Sequence, residues 1–369
     1  MRVLHLVSAP TMTGPADPAL GLARGQRAIG VDAAIAYDTH RSGNMADKVL
    51  AAGVPHVADL VLSTKAGLAA AWRDRRRLID HARSFDVVHA HTSHDHMLAA
   101  GVARHTLLVR SIHHPRGCAR RGLEPWVYGR THGFILVAQA HRHRLATSYP
   151  KLAAEQMTVV PGAVDTARFS PEREGFAVRR EMGFEPDRLV LGLVARIKAG
   201  RGHRLFLEAI QAARAKVPQL AVALIGKGEG VPEVRKDVAE LGLEPHVAWL
   251  GFRDQDLPEA IRACDLTVLM EEGNDASCRA VLESMACEVP VVGASHPAIV
   301  DAISPGTGLV FAARQRDALV QAIVEAASLT GSERLSMGRQ ARAVVLQEHT
   351  DRVRAERVFS AYRAWGARP

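Results

Sequence analysis

A chain of 369 residues exceeds what one hydrophobic core ordinarily organises, so two domains are expected. With 47% hydrophobic and 23% charged residues, the composition is that of a globular protein and excludes a disordered chain. The net charge of +8 is unevenly placed: residues 1–170 carry +9 and residues 171–369 carry −1, and a basic first half suits phosphates or an acidic membrane surface.

The chain opens on MRVLHLVSAPTM, a short β-branched run broken by Pro10, without the basic flank and long apolar stretch of a signal peptide. No apolar run reaches the roughly eighteen residues that span a bilayer. The expected location is the cytoplasm, with peripheral attachment at the inner membrane face open to the basic first half. Strand-like runs then alternate with helical patterns. RVLHLV, VDAAIAY, DVVHAH, TLLVRSI and GFILVAQ come first, followed by LVLGLVAR, LAVALIG, VAWLGF, LTVLM and VPVVGA. Near-continuous apolarity marks strands buried on both faces of a parallel sheet. With helices over 18–29 and 204–215 among those between them, two successive doubly wound α/β domains are predicted.

A helix over 66–85 carries Arg73, Arg75, Arg76 and Arg77, with Leu68, Trp72, Ile79 and Ala82 at helical spacing. Its apolar stripe is expected to face the sheet, and its pattern also fits a helix lying on anionic lipid. The segment 156–171, QMTVVPGAVDTARFSP, holds two prolines and a glycine where the charge balance changes. The expected division is 1–167, an acceptor-binding domain, and 168–349, a donor-binding domain. Residues 350–369 end a helical stretch over 332–365 and are expected to pack back on the first domain. Cys118, Cys264, Cys278 and Cys287 form no CxxC pair and read as reduced, mostly buried thiols.

Two segments carry the chemistry. In DLTVLMEEGNDASCRAVLESMACEVPVV a helix over 276–287 follows a buried strand, so its first turn offers the backbone N–H groups of Ser277, Cys278 and Arg279 to an anion. Asp275 and Glu283 are eight residues apart, roughly 12 Å along a helix, too far to flank one glycosidic bond as a hydrolase pair but suited to the two ends of one extended ligand. Asp275 as a helix cap and Glu283 as a surface residue is the alternative. In VARIKAGRGH, Arg196 and Arg201 stand across a glycine-containing turn at a strand's carboxyl end, where two guanidinium groups can converge on a pyrophosphate.

These motifs resemble the retaining GT-B glycosyltransferases of family 4. DASCRAVLESMACEVPVV is similar to that family's E-x7-E segment, with Asp275 and Glu283 in the acidic places. Arg196 and Arg201 match its donor-clasping Arg and Lys. MTVVPGAVDTARFSP resembles the interdomain segment, VALIGKGEG the second strand and turn of the donor domain, and VAWLGFRDQDLPEAIRACDLTVL the stretch leading to the acidic motif. SAPTMTGPADPALGLARGQRAIG resembles the first strand, turn and helix, with Gly14 at the turn. RSIHHP resembles the strand end where the family sets a histidine against the transferred sugar, which selects His113, with His114 as the neighbour able to replace it. DVVHAHTSHDH matches a further recurrent segment, and its four histidines, His89, His91, His94 and His96, complete no metal site of known spacing.

The resemblance implies two Rossmann-like domains facing a cleft and front-face sugar transfer from a UDP-, GDP- or ADP-sugar. It further implies Ser277, Cys278, Arg279 and Glu283 on the donor, no required cofactor or metal, and a role in cell-envelope polysaccharide, lipopolysaccharide or glycolipid synthesis. The acceptor is a glycan or lipid-linked glycan, with Arg116, Arg120 and Arg121 on the acceptor or membrane side. Departures from the family pattern are Asp275 for Glu, with one residue inserted before it, Arg201 for Lys, Glu288 where glycine is common, and Gly162-Ala163 for Asn-Gly. The competing readings are a nucleotide-sugar epimerase, hydrolase or phosphorylase of the same fold, and a noncatalytic binder of anionic ligands. Nucleic acid is not an expected partner, because aromatic residues are only 5% of the chain and no stacking motif interleaves the arginines.

Overall fold

The computed structural model describes residues 1–12, 14–271 and 278–367, and divides into two compact units. The first takes in 1–163 and 351–367, and the second 164–271 and 278–350. Each is built on a parallel sheet of six strands. The first sheet comprises β1 (Arg2–Val7), β2 (Asp32–Tyr37), β3 (Val87–Ala90), β4 (Leu107–Ile112), β5 (Gly133–Leu136) and β6 (Met157–Val159), in the order β2-β1-β3-β4-β5-β6. The second comprises β7 (Leu189–Val194), β8 (Leu220–Ile225), β9 (Val247–Gly251), β10 (Leu266–Leu269), β11 (Val291–Ala294) and β12 (Gly308–Phe311), in the order β12-β11-β10-β7-β8-β9.

All ten strand runs read from the sequence form strands, and two strands were missed. β6 and β12 lie at sheet edges and have three and four residues. Each has a single buried position, whereas the other strands of four residues are buried throughout. Central strands such as β3 and β8 are buried at every position. Fully burying each such Val or Leu contributes about 1.5–3 kcal/mol, which is why those segments are unmistakable.

Helix bounds differ from expectation in informative ways. The basic helix spans Gly67–His81 and turns Leu78 and Asp74 inward, while Asp74 accepts the backbone N–H groups of Val61 and Leu62 at 3.0 and 2.8 Å. That register leaves Leu68 and Trp72 exposed by 91% and 62%, so the expected apolar stripe does not reach the sheet at these two residues. The helical stretch over 332–365 consists of two helices, Gly331–Glu348 and Asp351–Ala364. The break arises because His349 accepts a hydrogen bond from Val164 N–H at 2.9 Å and Thr350 pairs with Val164 as an isolated bridge, a use of backbone that a continuous helix forbids. Helix Asp351–Ala364 packs on helix Ala16–Ala28 at Gly25, where a Cβ would come within 2.4 Å of Asp351 O. All four cysteines are buried. Glu288 has φ of 58°, a left-handed conformation that glycine adopts at less cost than glutamate.

Candidate functional site

In the second unit β7 and β10 are neighbours although β8 and β9 separate them in sequence. The chain leaves β7 toward one edge and returns to β10 to build the other. The loops after these two strands therefore diverge, the arrangement at which open α/β sheets take ligands. Arg196 and Arg201 follow β7, and the segment containing Glu283 follows β10, so the topology brings together what 82 or more residues of chain separate. Contact is close: a Cβ at Gly202 would lie 3.2 Å from Met270 Cβ.

The backbone of the loop after β7 is clamped to that of the loop after β8. Ala195 N–H donates to Ile225 O and Ile197 N–H to Lys227 O, each at 3.1 Å, and Gly230 N–H donates to Ile197 O at 3.0 Å. The alternating glycines of GKGEG permit this approach, since a Cβ at Gly226 or Gly228 would meet the carbonyl oxygen of Ala195 or Ile197 at 1.9 Å. Arg196 rides on this clamp with its side chain exposed, Nη2 lying 3.3 Å from Glu229 Oε2. The Glu229 carboxyl is held below its usual range by a backbone N–H of its own and by Arg196. Arg201 stands between Gly200 and Gly202, whose φ values of 75° and 76° turn the chain sharply into helix His203–Arg214. Burial, joined by the Arg201 charge, pushes the His203 imidazole down.

The expected helix over 276–287 is shorter, Arg279–Ala286. Cys278 is its N-cap, buried, with φ of 50°; a left-handed residue cannot belong to the helix, which therefore starts at Arg279. Glu283 is 6% exposed, not a surface residue, and its Oε1 lies 3.3 Å from Arg279 Nε one turn earlier. Asp275 and Ser277 lie outside the described residues. Two charged groups here carried no signal in the sequence reading. Glu229 is marked in retrospect only by the glycines that flank it. Glu271, after β10, faces His296 at 3.1 Å and Arg314 at 3.5 Å, partners that only the order of β10, β11 and β12 brings near.

In the first unit Gly14 takes φ of 55° at the turn from β1 into helix Ala16–Ala28. His113 follows β4, is 3% exposed, and sets Nε2 3.1 Å from His91 Nδ1. Burial first, then the charges of Arg354 and Arg110, hold its imidazole well below the ordinary value, so it is neutral. His114 is half-buried, and its Nδ1 accepts Arg116 N–H at 3.0 Å, which commits that nitrogen to the turn 115–118. Arg116, Arg120 and Arg121 are exposed, Arg120 lying 6.0 Å over the Tyr149 ring. His94 and His96 do not join the other histidines: His96 Nε2 bonds Thr131 Oγ1 at 2.7 Å. His5, inside the apolar run of β1, does join His89 and His91, and the three offer nitrogens within 4.8 Å of one another.

The family model described as Glycosyl transferases group 1 matches residues 176–344, and that described as Glycosyltransferase Family 4 matches residues 19–168. The chain is 33% identical over 168 residues to the D-inositol 3-phosphate glycosyltransferase of Stackebrandtia nassauensis, covering 42% of this chain and 38% of that protein. Over 196 residues it is 28% identical to the GDP-mannose-dependent alpha-(1-6)-phosphatidylinositol monomannoside mannosyltransferase of Mycolicibacterium smegmatis, covering 51% and 50%. The chain thus spans about half or less of the length of these relatives. The fold is similar to that of Anabaena Alr3699/HepE, solved in complex with UDP and glucose, with a TM-score of 0.81 at 18% identity over 99% of this chain and 100% of that one.

Proposed function

Since the chain belongs to the group 1 glycosyltransferases of family 4, with the GT-B fold, we propose that it moves a sugar from a nucleotide donor to an acceptor hydroxyl, with retention, in cell-envelope glycan or glycolipid synthesis. The observation that supports this most is the junction after β7 and β10. Arginines on a backbone clamp stand beside a helix start and a buried carboxylate at one topological switch point. The donor diphosphate binds Arg196, Arg201 and the N-terminal end of helix Arg279–Ala286, where the helix dipole adds partial positive charge. Glu283 accepts hydrogen bonds from the ribose hydroxyls. Asp275 is assigned to the transferred sugar, and the backbone of Ser277 and Cys278 to the donor phosphate.

In the step itself the bond from the anomeric carbon to the phosphate oxygen breaks, and the acceptor oxygen bonds that carbon on the same face. The acceptor proton passes to the departing phosphate. Charge growing on the nucleoside diphosphate is stabilised by the two guanidinium groups, an electrostatic contribution that needs no metal or added cofactor. A UDP- or GDP-sugar is the favoured donor, because the Anabaena neighbour was solved with UDP and the Mycolicibacterium relative is GDP-mannose-dependent. The acceptor is a glycan or lipid-linked glycan on the side of Arg116, Arg120 and Arg121. Peripheral attachment to an anionic membrane uses helix Gly67–His81, and among the described residues no helix is long and apolar enough to cross a membrane.

Thermal unfolding with a panel of UDP-, GDP- and ADP-sugars tests the reading. One nucleotide class should raise Tm in the wild type and leave Arg201→Ala unmoved. Absence of any shift across the panel, or equal shifts in the variant, contradicts it.

A further inference from the structure

Three histidines and a glutamine stand in single file in the first unit. Gln26 Oε1 is 2.8 Å from His5 Nε2, His5 Nδ1 is 3.0 Å from His91 Nε2, and His91 Nδ1 is 3.1 Å from His113 Nε2. His5 sits on β1, His91 just after β3 and His113 just after β4, three strands adjacent in the sheet. The file ends at His113 Nδ1, which is buried and has no hydrogen-bond partner among the described residues.

A neutral imidazole has one N–H and one lone pair, so each ring in such a file must donate at one nitrogen and accept at the other. Burial keeps these rings neutral: it pushes His5 down to about 4, and holds His91 and His113 well below the ordinary value. Fixing the direction of the first bond therefore fixes every other. With the Gln26 oxygen toward His5, His5 donates from Nε2 and accepts at Nδ1 from His91. In turn His91 accepts at Nδ1 from His113 Nε2–H, which leaves His113 Nδ1 as a bare lone pair. The reverse direction would leave an N–H there.

Tyr362 selects the same direction by separate chemistry. Its hydroxyl is 2.5 Å from His89 Nδ1 and 3.3 Å from Gln26 Nε2. A phenol is a stronger acid than a neutral imidazole N–H, so the short bond runs from Tyr362 O–H to His89. The phenol oxygen is then an acceptor, matched by the Gln26 amide NH2, which turns the amide oxygen to His5. His89 keeps its proton on Nε2 and donates to Ser111 Oγ at 2.8 Å. These bonds take both ring nitrogens of His5, His89 and His91, so the proximity of the three is spent on hydrogen bonding and not on a metal.

We propose that Gln26, His5 and His91 are positioning residues that hold His113 in its Nε2–H tautomer and present its Nδ1 as a built acceptor for one hydroxyl of the substrate. The identity of that substrate, a nucleotide-linked sugar, rests on the glycosyltransferase reading; the tautomer does not. A buried lone pair without a partner is costly, and a substrate hydroxyl relieves the cost. A donor lacking that hydroxyl leaves the nitrogen unsatisfied, which is how such a site discriminates.

The full chain labelled with 15N-histidine, studied by long-range 1H–15N NMR and assigned with His113→Gln, reads the tautomer without substrate. His113 is expected to show a protonated Nε2 and an unprotonated Nδ1; a protonated Nδ1 overturns the inference. Gln26→Met should turn His113 into a mixture of tautomers, while Gln26→Glu, whose carboxylate only accepts, should restore the single form. An unchanged His113 spectrum in Gln26→Met also overturns it. In a second arm, UDP-glucose and GDP-mannose are compared with their monodeoxy analogues. The wild type should lose about tenfold in kcat/KM at one deoxy position, and this discrimination should shrink in Gln26→Met. Equal use of every analogue sinks the acceptor role. Should the wild type turn over no nucleotide sugar at all, the glycosyltransferase reading fails, and the tautomer measurement alone decides the inference.

Discussion

The two units share a doubly wound plan, yet they furnish their switch points with opposite chemistry. After β7 and β10 the groups are cations and a carboxylate, with Arg196 exposed and Glu283 buried against Arg279. On β1 and just after β3 and β4 they are neutral imidazoles, fully enclosed and joined ring to ring. A site for a doubly charged phosphate bridge gains from formal charge and tolerates water nearby. A site that reads hydroxyl groups needs directed donors and acceptors, and burial supplies direction by suppressing ionisation. The fold provides the location; the charge state of the side chains decides what kind of chemical group each location can read.

The largest effect should come from breaking the charged side. Arg201→Ala is expected to lower kcat by about 10²–10³, the range for removing one preorganised donor to developing charge, with circular dichroism and Tm unchanged without ligand. His113→Gln should cost less, because a neutral hydrogen bond is worth about 0.5–1.5 kcal/mol. If the two variants lose the same activity, the contrast between the sites is void.

Acid sharpens the comparison through stability. His5, His89, His91, His96 and His113 are all lowered by burial in the first unit, and His5 falls from 6.5 to about 4. Below pH 6.5 the unfolded chain binds protons that these rings refuse, so stability is full above pH 6.5 and is lost as pH falls toward 4. Hydrogen exchange at pH 7 and pH 5, corrected for intrinsic rates, should show protection falling by a few kcal/mol in β1, β3 and β4 and by less in β7 and β8. Equal loss in the two sheets would remove the physical basis of the contrast.

The two sites were unequally legible in the sequence for a reason that lies in range. Arg196 and Arg201 could be singled out because they follow a strand whose apolar run is unmistakable, and charge at a strand's carboxyl end is conspicuous, whereas Glu283 rested on the family resemblance because spacing alone left it open as a surface residue. Where helix Arg279–Ala286 begins was not legible, since the left-handed Cys278 gives no local sign of itself. His5 was invisible for another reason: it is one polar residue inside RVLHLV, and its partners Gln26 and His91 are 21 and 86 residues away. Strand order creates that file, and spacing along the chain cannot express it. The clamp after β8 lies between these cases, because alternating glycines announce a close approach without saying to what. Gly228→Ala, whose Cβ would strike Ile197 O, should cost about 1–3 kcal/mol by overpacking and lower nucleotide affinity through Arg196; an unchanged Tm would show that the clamp gives way freely.

The smallest expected effect concerns the basic helix Gly67–His81. Leu68 and Trp72 are exposed, and the Arg76 guanidinium lies 4.6 Å over the Trp72 ring, so an apolar projection is surrounded by cations on a helix whose inward face is already satisfied by Leu78 and Asp74. Burying an aromatic ring at the lipid interface while each nearby arginine gains about 1 kcal/mol from anionic headgroups would seat this helix on such a surface. Trp72→Ala should weaken sedimentation with phosphatidylglycerol-containing vesicles several-fold, leave the already weak binding to phosphatidylcholine vesicles unaltered, and leave transfer to a soluble acceptor at the wild-type rate. Equal binding of variant and wild type to the anionic vesicles would mean that the exposed ring has no part in membrane attachment, and the positive charge of the first unit would then act through Arg116, Arg120 and Arg121 instead.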